Sequence, residues 1–217
     1  MGREMKTKQF ELTGRCNLKC RFCYNQMFMP QWKELPEEFV IEKAGEGNIV
    51  LLGGGEPTLY KGICTLVERL IENKNRVVLS TNGIVYREFP KSELFGLQIS
   101  LPAINREIYR NITGFDFVER VKANILAYKE KHRTHINMPV YHENINEMPD
   151  IARFCRQNEL PLVVSQLMPI NELATLESNI VKRKCLETSL SLGTDIRFTE
   201  NRIIPYKMEE YFTPCCT

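Results

Sequence analysis

Short apolar segments alternate with helix-like segments along most of this 217-residue chain. Six apolar runs are predicted as strands, at residues 8–12, 48–52, 76–80, 96–101, 135–141 and 161–167. Four intervening stretches place apolar residues at helical spacing, at 36–44, 62–73, 115–131 and 147–158. Strands separated by helices are typical of βαβ units, so the pattern predicts an α/β fold with a parallel sheet.

The six predicted units end near residue 170, which limits how far a barrel can close. A complete eightfold TIM barrel typically needs about 250 residues. We therefore expect a partial (β/α)6 TIM-like barrel over residues 1–170, followed by a C-terminal extension over residues 171–217. Within that extension, residues 195–198 and 202–206 flank Glu200-Asn201 and are predicted to form a β-hairpin.

The composition is that of an ordinary globular protein, with 43% hydrophobic and 26% charged residues. A net charge of +2 gives no argument for nucleic-acid binding, and no apolar run approaches the roughly 20 residues of a membrane span. The first ten residues lack the apolar core of a signal peptide, so we expect a cytoplasmic protein. In a reducing compartment, eight cysteines indicate metal, cluster or redox chemistry rather than disulfides.

Polar and cysteine-rich segments follow the predicted strands, at the edge where the active sites of parallel βα folds lie. A cysteine loop follows the first strand, and three glycines with Glu56-Pro57 follow the second. The later strands end with Ser80, Thr81, Asn82 and Gly83, then Ser100, then Tyr141, His142 and Asn144, and finally Gln166 and Met168. Their shared position predicts a single site at this edge.

The cysteine loop has the spacing C-x3-C-x2-C, formed by Cys16, Cys20 and Cys23. Three thiols leave a metal or cluster with an open coordination position, where chemistry can take place. The alternatives are a zinc site with a fourth ligand elsewhere and a redox-active pair at Cys20 and Cys23. No second ligand pair lies nearby, and a redox pair needs no third thiol, so the spacing favours a [4Fe–4S] cluster.

The cysteine motif has an aromatic residue, Phe22, before its last cysteine, and Gly54-Gly55-Glu56-Pro57 follows the second strand. With these two motifs, residues 8–170 resemble the radical S-adenosylmethionine (SAM) superfamily. The resemblance implies that the three cysteines hold three irons and that the methionine part of SAM binds the fourth. It also implies reductive cleavage of SAM to a 5′-deoxyadenosyl radical that abstracts hydrogen from a substrate. The electron would come from a reductant such as flavodoxin or ferredoxin.

The resemblance further implies contacts between the protein and SAM. Gly54, Gly55 and Glu56 would contact the SAM amino group, through backbone carbonyls or through the carboxylate. Phe22 would lie against the adenine ring, and Ser100 would contact the ribose.

Other polar residues at the same edge are candidates of a less specific kind. Asn82 and Gln166 are further candidates for SAM contacts, although Asn82-Gly83 is also a common turn pair. Asn137 and His142 are site candidates without an assigned role, and a strand-end histidine is often a hydrogen-bonded structural residue.

The remaining cysteines form two groups. Cys64 and Cys155 lie among apolar residues in predicted helices and are predicted to be small buried side chains. Cys185, Cys215 and Cys216 lie in the extension, which resembles a shortened cysteine-rich extension of peptide-modifying radical SAM enzymes. That resemblance implies an auxiliary iron–sulfur cluster; the alternative is a tail with free thiols that closes one side of the barrel.

Three substrate classes fit these observations. The Cys23-Tyr24 junction and the cysteine-bearing extension favour a peptide or protein substrate. The alternatives are an activase that installs a glycyl radical on a partner enzyme, and an enzyme acting on a small molecule in nucleoside or cofactor biosynthesis. A non-catalytic zinc-binding module is the remaining alternative, and it gives no reason for the Gly-Gly-Glu-Pro sequence. The sequence therefore predicts a radical SAM enzyme that acts on a peptide or protein.

Overall fold

The computed structural model describes residues 5–23, 34–89, 94–167 and 176–199. Seven strands form one sheet in the order β1-β2-β3-β4-β5-β6-β7, and each neighbouring pair is parallel. The strands are β1 Thr7–Thr13, β2 Ile49–Gly54, β3 Arg76–Thr81, β4 Gly96–Ser100, β5 Thr134–Val140, β6 Leu162–Gln166 and β7 Ile196–Thr199. The predicted α/β class and the parallel sheet are confirmed.

Helices connect most of the consecutive strands. They are α1 Glu37–Ala44, α2 Ile63–Glu72, α3 Arg106–Thr113, α4 Val118–Lys129, α5 Met148–Gln157 and α6 Ser178–Leu192. Two short 3₁₀ helices, Pro57–Leu59 and Ile145–Glu147, follow β2 and β5. The predicted strands and helices agree with these elements to within a few residues. None of the described helices is both long and apolar enough to cross a membrane.

One face of the sheet is apolar and packs against the helices. Its members form a single buried cluster that includes Phe10, Leu12, Leu52, Leu79, Leu97, Ile99, Ile136, Leu162 and Val164 from the strands, and Leu66, Val67, Val121, Ile125, Ile151, Cys155 and Val181 from the helices. Burial of this apolar surface supplies the main stabilisation of the fold. The helices therefore cover this face and leave the other face for a site.

We call the opposite side of the sheet the helix-free face. By strand alternation and register it carries Gln9, Glu11, Leu51, Val78, Ser80, Gln98, Ser100, His135, Asn137, Val163, Ser165, Arg197 and Thr199. A small apolar cluster of Ile49, Leu51, Val78 and Phe95 lies toward its amino-terminal end. Polar side chains occupy most of the rest, so this face becomes polar toward the carboxyl ends of the strands.

The first strand of the expected hairpin, residues 195–198, corresponds to β7, which extends the parallel sheet by one strand. β7 pairs in parallel with β6, with Val163 opposite Arg197 and Ser165 opposite Thr199. The physical reason is α6, which lies between β6 and β7 and returns the chain to the same edge, as a βαβ crossover does. The second predicted hairpin strand, residues 202–206, lies outside the described residues.

Helices α3 and α6 were not predicted, although the ends of α3 carry sequence signals. The Asn105 side chain caps the start of α3 by accepting from the backbone N–H groups of Glu107 at 3.0 Å and Ile108 at 3.2 Å. Gly114 ends it with a φ of 85°, a left-handed conformation that glycine adopts at low cost. The helix places Tyr109 and Ile112 on its buried face, a helical spacing that the sequence analysis did not use.

Candidate active site

The cysteine loop follows β1 and is held against the C-terminal end of α3. The Lys19 N–H donates to the Thr113 carbonyl at 3.0 Å, and the Arg21 N–H donates to the Ile112 carbonyl at 2.9 Å. A Cβ atom on Gly114, just after α3, would lie 3.4 Å from the Cβ of Lys19. Main-chain hydrogen bonds therefore fix the loop to a helix that is distant in sequence.

Side chains fix the loop to the end of β5 as well. Arg21 forms an ion pair of 2.8 Å with Glu143. The ring of Phe22 meets the ring of Tyr141 edge-on, with 6.1 Å between centroids and 61° between planes. Tyr141 is fully buried, so it gives Phe22 a rigid support. The predicted contact of Phe22 with adenine stays a prediction.

The three thiols of the loop lie close enough to influence one another's charge. Burial, followed by the neighbouring Cys23 and Cys16 thiols, raises the pKa of Cys20. Burial also raises the pKa of Cys16, although its sulfur accepts from the Leu18 N–H at 3.4 Å and from the Asn82 amide at 3.8 Å. A positively charged group bound to all three sulfurs would relieve their mutual repulsion as thiolates.

The arrangement fits a cluster better than a single metal ion. Within the described ranges, no three His, Cys, Asp or Glu side chains converge on a point that could hold one ion. The ligands of a structural zinc surround one ion. The corners of a [4Fe–4S] cluster are different irons, so its cysteine ligands need not share a point. Three thiols in one loop, with N–H donors to Cys16, fit such a cluster.

The end of β2 packs its backbone directly onto the start of the cysteine loop. The Gly55 N–H donates to the Thr13 carbonyl at 2.6 Å, and the Glu56 N–H donates to the Arg15 carbonyl at 2.7 Å. A Cβ atom on Gly55 would lie only 2.7 Å from the carbonyl carbon of Arg15, too close for any side chain. Gly54 has a φ of 117°, which also requires glycine. These glycines allow the two strand ends to meet.

The Glu56 side chain is buried and accepts four hydrogen bonds within the protein. Its Oε1 accepts from the Thr58 N–H at 3.0 Å, the Thr58 hydroxyl at 2.6 Å and the Thr81 hydroxyl at 2.6 Å. Its Oε2 accepts from the Asn82 N–H at 2.7 Å. Burial raises the pKa of this carboxyl, and the four hydrogen bonds oppose the shift. The carboxylate is therefore a link between β2 and β3, and the contacts of Gly54, Gly55 and Glu56 with the SAM amino group stay predictions.

Asn82 has the contacts of both a turn residue and a site residue. Its Oδ1 accepts from the Ile84 N–H at 3.0 Å, which is the contact expected of an Asx turn. Its amide donates to Asn17 Oδ1 at 2.7 Å and lies 3.8 Å from Cys16 Sγ. Asn82 therefore joins the end of β3 to the cysteine loop, and its predicted contact with SAM stays a prediction.

Three further candidates predicted from the sequence lie at the ends of different strands and have different surroundings. Gln166 donates to the Leu176 carbonyl at 2.6 Å and accepts from the Ser178 hydroxyl at 2.7 Å, so its amide is engaged with the start of α6. His142 is exposed beyond β5, and Ser100 is half-buried at the end of β4. The cofactor roles of Ser100 and Gln166 stay predictions.

A polar network on the helix-free face was missed by the sequence analysis, which had named only Ser80 and Asn137 of its members. Gln98 donates to the Ser80 hydroxyl at 3.3 Å, and its Oε1 lies 3.2 Å from His135 Nε2. Two residues after His135 on β5, Asn137 accepts a hydrogen bond at its Oδ1 from the Ser165 hydroxyl at 2.5 Å. The signal in the sequence was the alternation of polar and apolar residues within β3, β4 and β5.

The cysteines outside the loop behave mostly as packing residues. Cys155 is fully buried as predicted, whereas Cys64 is only half-buried. Cys185 lies in the core on α6, where burial raises the pKa of its thiol to about 11. This position argues against the auxiliary-cluster interpretation of Cys185. Cys215 and Cys216, the other two members of that group, lie outside the described residues, as does the strand-end candidate Met168.

Comparison with known proteins identifies the family. A family model described as the radical SAM superfamily matches residues 10–155. The chain belongs to the radical SAM superfamily. Enzymes of this superfamily use a [4Fe–4S] cluster and SAM, so the predicted enzyme class and cofactors are confirmed.

Among similar radical SAM proteins, a probable GTP 3',8-cyclase of Methanocaldococcus jannaschii is 30% identical over 189 residues, covering 79% of this chain and 62% of the relative. A probable GTP 3',8-cyclase of Pyrococcus abyssi is 32% identical over 168 residues, covering 70% of this chain and 54% of the relative. The chain thus spans about three-fifths of the length of the curated relatives it matches.

A solved structure, Streptococcus suis SuiB bound to S-adenosylmethionine, resembles the fold with a TM-score of 0.74. It is 16% identical and covers 91% of this chain and 50% of the SuiB chain. At that identity the similarity supports the fold alone. The expected partial TIM-like barrel is confirmed, with one parallel strand more than predicted.

Proposed function

We propose that this chain is a radical SAM enzyme whose substrate is a small polar molecule of the nucleotide class. The observation that carries the proposal is the polar network on the helix-free face, formed by side chains of β3 to β7. The curated relatives named probable GTP 3',8-cyclase support the same class of substrate.

The residues of the chain have separable roles in this proposal. Cys16, Cys20 and Cys23 bind three irons, while the backbone at Gly54 and Gly55 contacts SAM. When bound, the [4Fe–4S] cluster and SAM supply reductive cleavage of SAM to a radical that abstracts hydrogen. An external one-electron donor of the flavodoxin or ferredoxin type supplies the electron. The helix-free face holds the substrate at the end of the sheet where the cysteine loop lies.

The geometry favours this class over the peptide substrate preferred from sequence. The peptide hypothesis depended on the Cys23-Tyr24 junction and on the cysteine-bearing extension, and Cys185 of that extension is buried in the core. The polar contacts of the helix-free face come from neighbouring strands and converge on a limited area, which suits a small ligand with several hydrogen-bonding groups.

The experiment compares substrates in the reconstituted enzyme. Anaerobically prepared protein receives SAM, a chemical reductant and either GTP uniformly deuterated on carbon or an unmodified control peptide. We expect GTP to increase formation of 5′-deoxyadenosine and to transfer deuterium into it. SAM cleavage stimulated by the peptide alone, with no deuterium transferred from GTP, would contradict the proposed substrate class and support the peptide alternative.

A further inference from the structure

The helix-free face presents two side-chain carboxamides, Gln98 on β4 and Asn137 on β5, and each is oriented by neighbouring strands. Gln98 lies opposite His135, and Asn137 lies two residues further along β5. From the spacing of strands and residues in a sheet, their Cα atoms are about 8 Å apart. Both are half-buried, so they line the polar part of this face without being sealed inside the core.

Both ends of the Gln98 carboxamide are held. Its Nε2 donates to Ser80 Oγ at 3.3 Å on one neighbouring strand, and its Oε1 lies 3.2 Å from His135 Nε2 on the other. A carboxamide oxygen can only accept, so His135 donates from Nε2. His135 is buried, and burial followed by the charge of Arg197 lowers its pKa to about 4, which keeps the ring neutral at pH 7. The orientation of Gln98 is therefore fixed.

Asn137 is oriented by a second set of contacts. The Ser165 hydroxyl on β6 donates to Asn137 Oδ1 at 2.5 Å, and Ser165 Oγ also lies 3.0 Å from Thr199 Oγ1 on β7. Ser165 is 5% exposed, so this contact is shielded from water. The amide nitrogen of Asn137 is thereby directed away from Ser165.

Each carboxamide keeps hydrogen-bonding capacity for a ligand. A carboxamide has two N–H donors and two acceptor lone pairs. Among the described residues, Ser80 occupies one donor of Gln98 and His135 occupies one lone pair, which leaves one donor beside one acceptor. Within the part of the chain that the structure describes, Asn137 keeps its two N–H donors and one lone pair beside the contact from Ser165.

We propose that Gln98 and Asn137 read the edge of a heterocyclic base in the substrate. This inference rests on the proposed function, since it specifies the substrate class of that same site. A donor beside an acceptor matches the edge of a nucleobase, and Gln and Asn make paired contacts of this kind with bases. A single trans peptide group carries its N–H and C=O on opposite sides of the bond, so it pairs with only one group of a carboxamide. A carboxylate or phosphate offers acceptors only and would face the Gln98 oxygen unfavourably.

In this assignment Ser80, His135 and Ser165 are positioning residues, because they act by orienting the two carboxamides. Gln98 and Asn137 determine specificity through direct contact with the base. A base that cannot make these contacts would leave polar groups of the site unpaired. The free-energy cost of the unpaired groups is the source of strong discrimination between bases.

The test is equilibrium dialysis of anaerobically reconstituted protein, saturated with SAM and without reductant. The probes are guanosine, adenosine, cytidine and uridine, and the variants are Gln98→Glu, Asn137→Leu and the control Gln9→Ala. Gln9 is on the same face of β1 but is exposed and bonds to Glu11 at 2.7 Å, outside the network. We expect the wild type and Gln9→Ala to bind one base preferentially, with about a tenfold or larger loss in the other two variants.

Gln98→Glu has nearly the same shape as the wild type but replaces a donor with an acceptor. We therefore expect it to change the order of preference among the four nucleosides, which a purely structural role would leave unchanged. Unaltered affinity and order in both site variants would overturn the inference, as would a wild type that binds none of the four. Formation of 5′-deoxyadenosine, measured separately with reductant, reports on the proposed function and separates its failure from that of the base-reading pair.

Discussion

Glu56 Oε2 lies 2.7 Å from the backbone nitrogen of Asn82, so the end of β2 is bonded to the end of β3 through a buried carboxylate. The Asn82 amide in turn donates to Asn17 of the cysteine loop at 2.7 Å. Main-chain bonds from Gly55 and Glu56 to Thr13 and Arg15 complete the connection. The Gly-Gly-Glu-Pro sequence therefore supports the cysteine loop mechanically, in addition to any contact that its backbone makes with SAM.

Replacement of Glu56 by glutamine is expected to lower the free energy of unfolding by about 2 kcal/mol. Each carboxylate oxygen accepts from a backbone N–H, from Thr58 or from Asn82. In either orientation the new NH₂ group would point at one of these donors. Denaturant titration checks the effect, with Glu46→Gln as the control. Glu46 is exposed and pairs with Lys74, so Glu46→Gln should change the free energy of unfolding by less than about 0.5 kcal/mol. Equal stability of the two variants would contradict the role given to Glu56.

Two neighbouring glycines provide a matched test of the contact between β2 and the cysteine loop. A Cβ atom on Gly55 would meet the main chain of Arg15, whereas one on Gly53 would meet nothing within 4 Å. We expect Gly55→Ala to displace the loop and reduce the iron bound after anaerobic reconstitution from about four to below about one per chain. Gly53→Ala should bind iron like the wild type. The same iron content in both variants would show that this close approach is not required.

The buried imidazole of His135 predicts a specific dependence of stability on pH. Burial, and then the charge of Arg197, lowers its pKa from 6.5 to about 4. Between these values the unfolded chain binds a proton that the folded chain does not, so stability falls as the pH decreases through this window. The contribution of the neutral His135 ring to the free energy of unfolding is fully present above pH 6.5. Up to about 3 kcal/mol of it is lost by pH 4.

Unfolding of the metal-free protein between pH 4 and 7.5 measures this contribution. His135→Gln should have a shallower pH dependence than the wild type, by up to about 1.4 kcal/mol per pH unit. His142→Gln, at an exposed position, should retain the slope of the wild type. A His135→Gln variant with the full slope would assign the pH dependence to other groups.

The parts of the fold that were predictable from sequence are those with local signals. Apolar runs and helical periodicity indicated β1 to β6 and four of the helices, and the loop of Cys16, Cys20 and Cys23 was recognisable from spacing alone. Helices α3 and α6 escaped because the capping residues of α3, Asn105 and Gly114, were not interpreted as helix ends and because α6 lies in the segment interpreted as a tail. The parallel pairing of β7 with β6 was not predicted, because the sequence of a short strand does not specify its partner. The pairing depends on α6, which connects the two strands.

The site was predictable at the level of chemistry, but its contacts were not. The sequence placed Glu56 at the edge of the sheet, whereas its bond to the Thr81 hydroxyl depends on two strands meeting in space. Gln98 and His135 are ordinary polar residues in the sequence. They become notable only because the register of β4 and β5 places them opposite each other.

The central claim is that Cys16, Cys20 and Cys23 hold a cluster that cleaves SAM. Its most direct test is anaerobic reconstitution, followed by iron and sulfide analysis and by measurement of 5′-deoxyadenosine after addition of SAM and reductant. We expect about four irons per chain in the wild type and in Cys64→Ala. Alanine at all three loop positions should abolish both iron binding and SAM cleavage. A wild-type protein that binds zinc, remains colourless and leaves SAM intact would contradict the account.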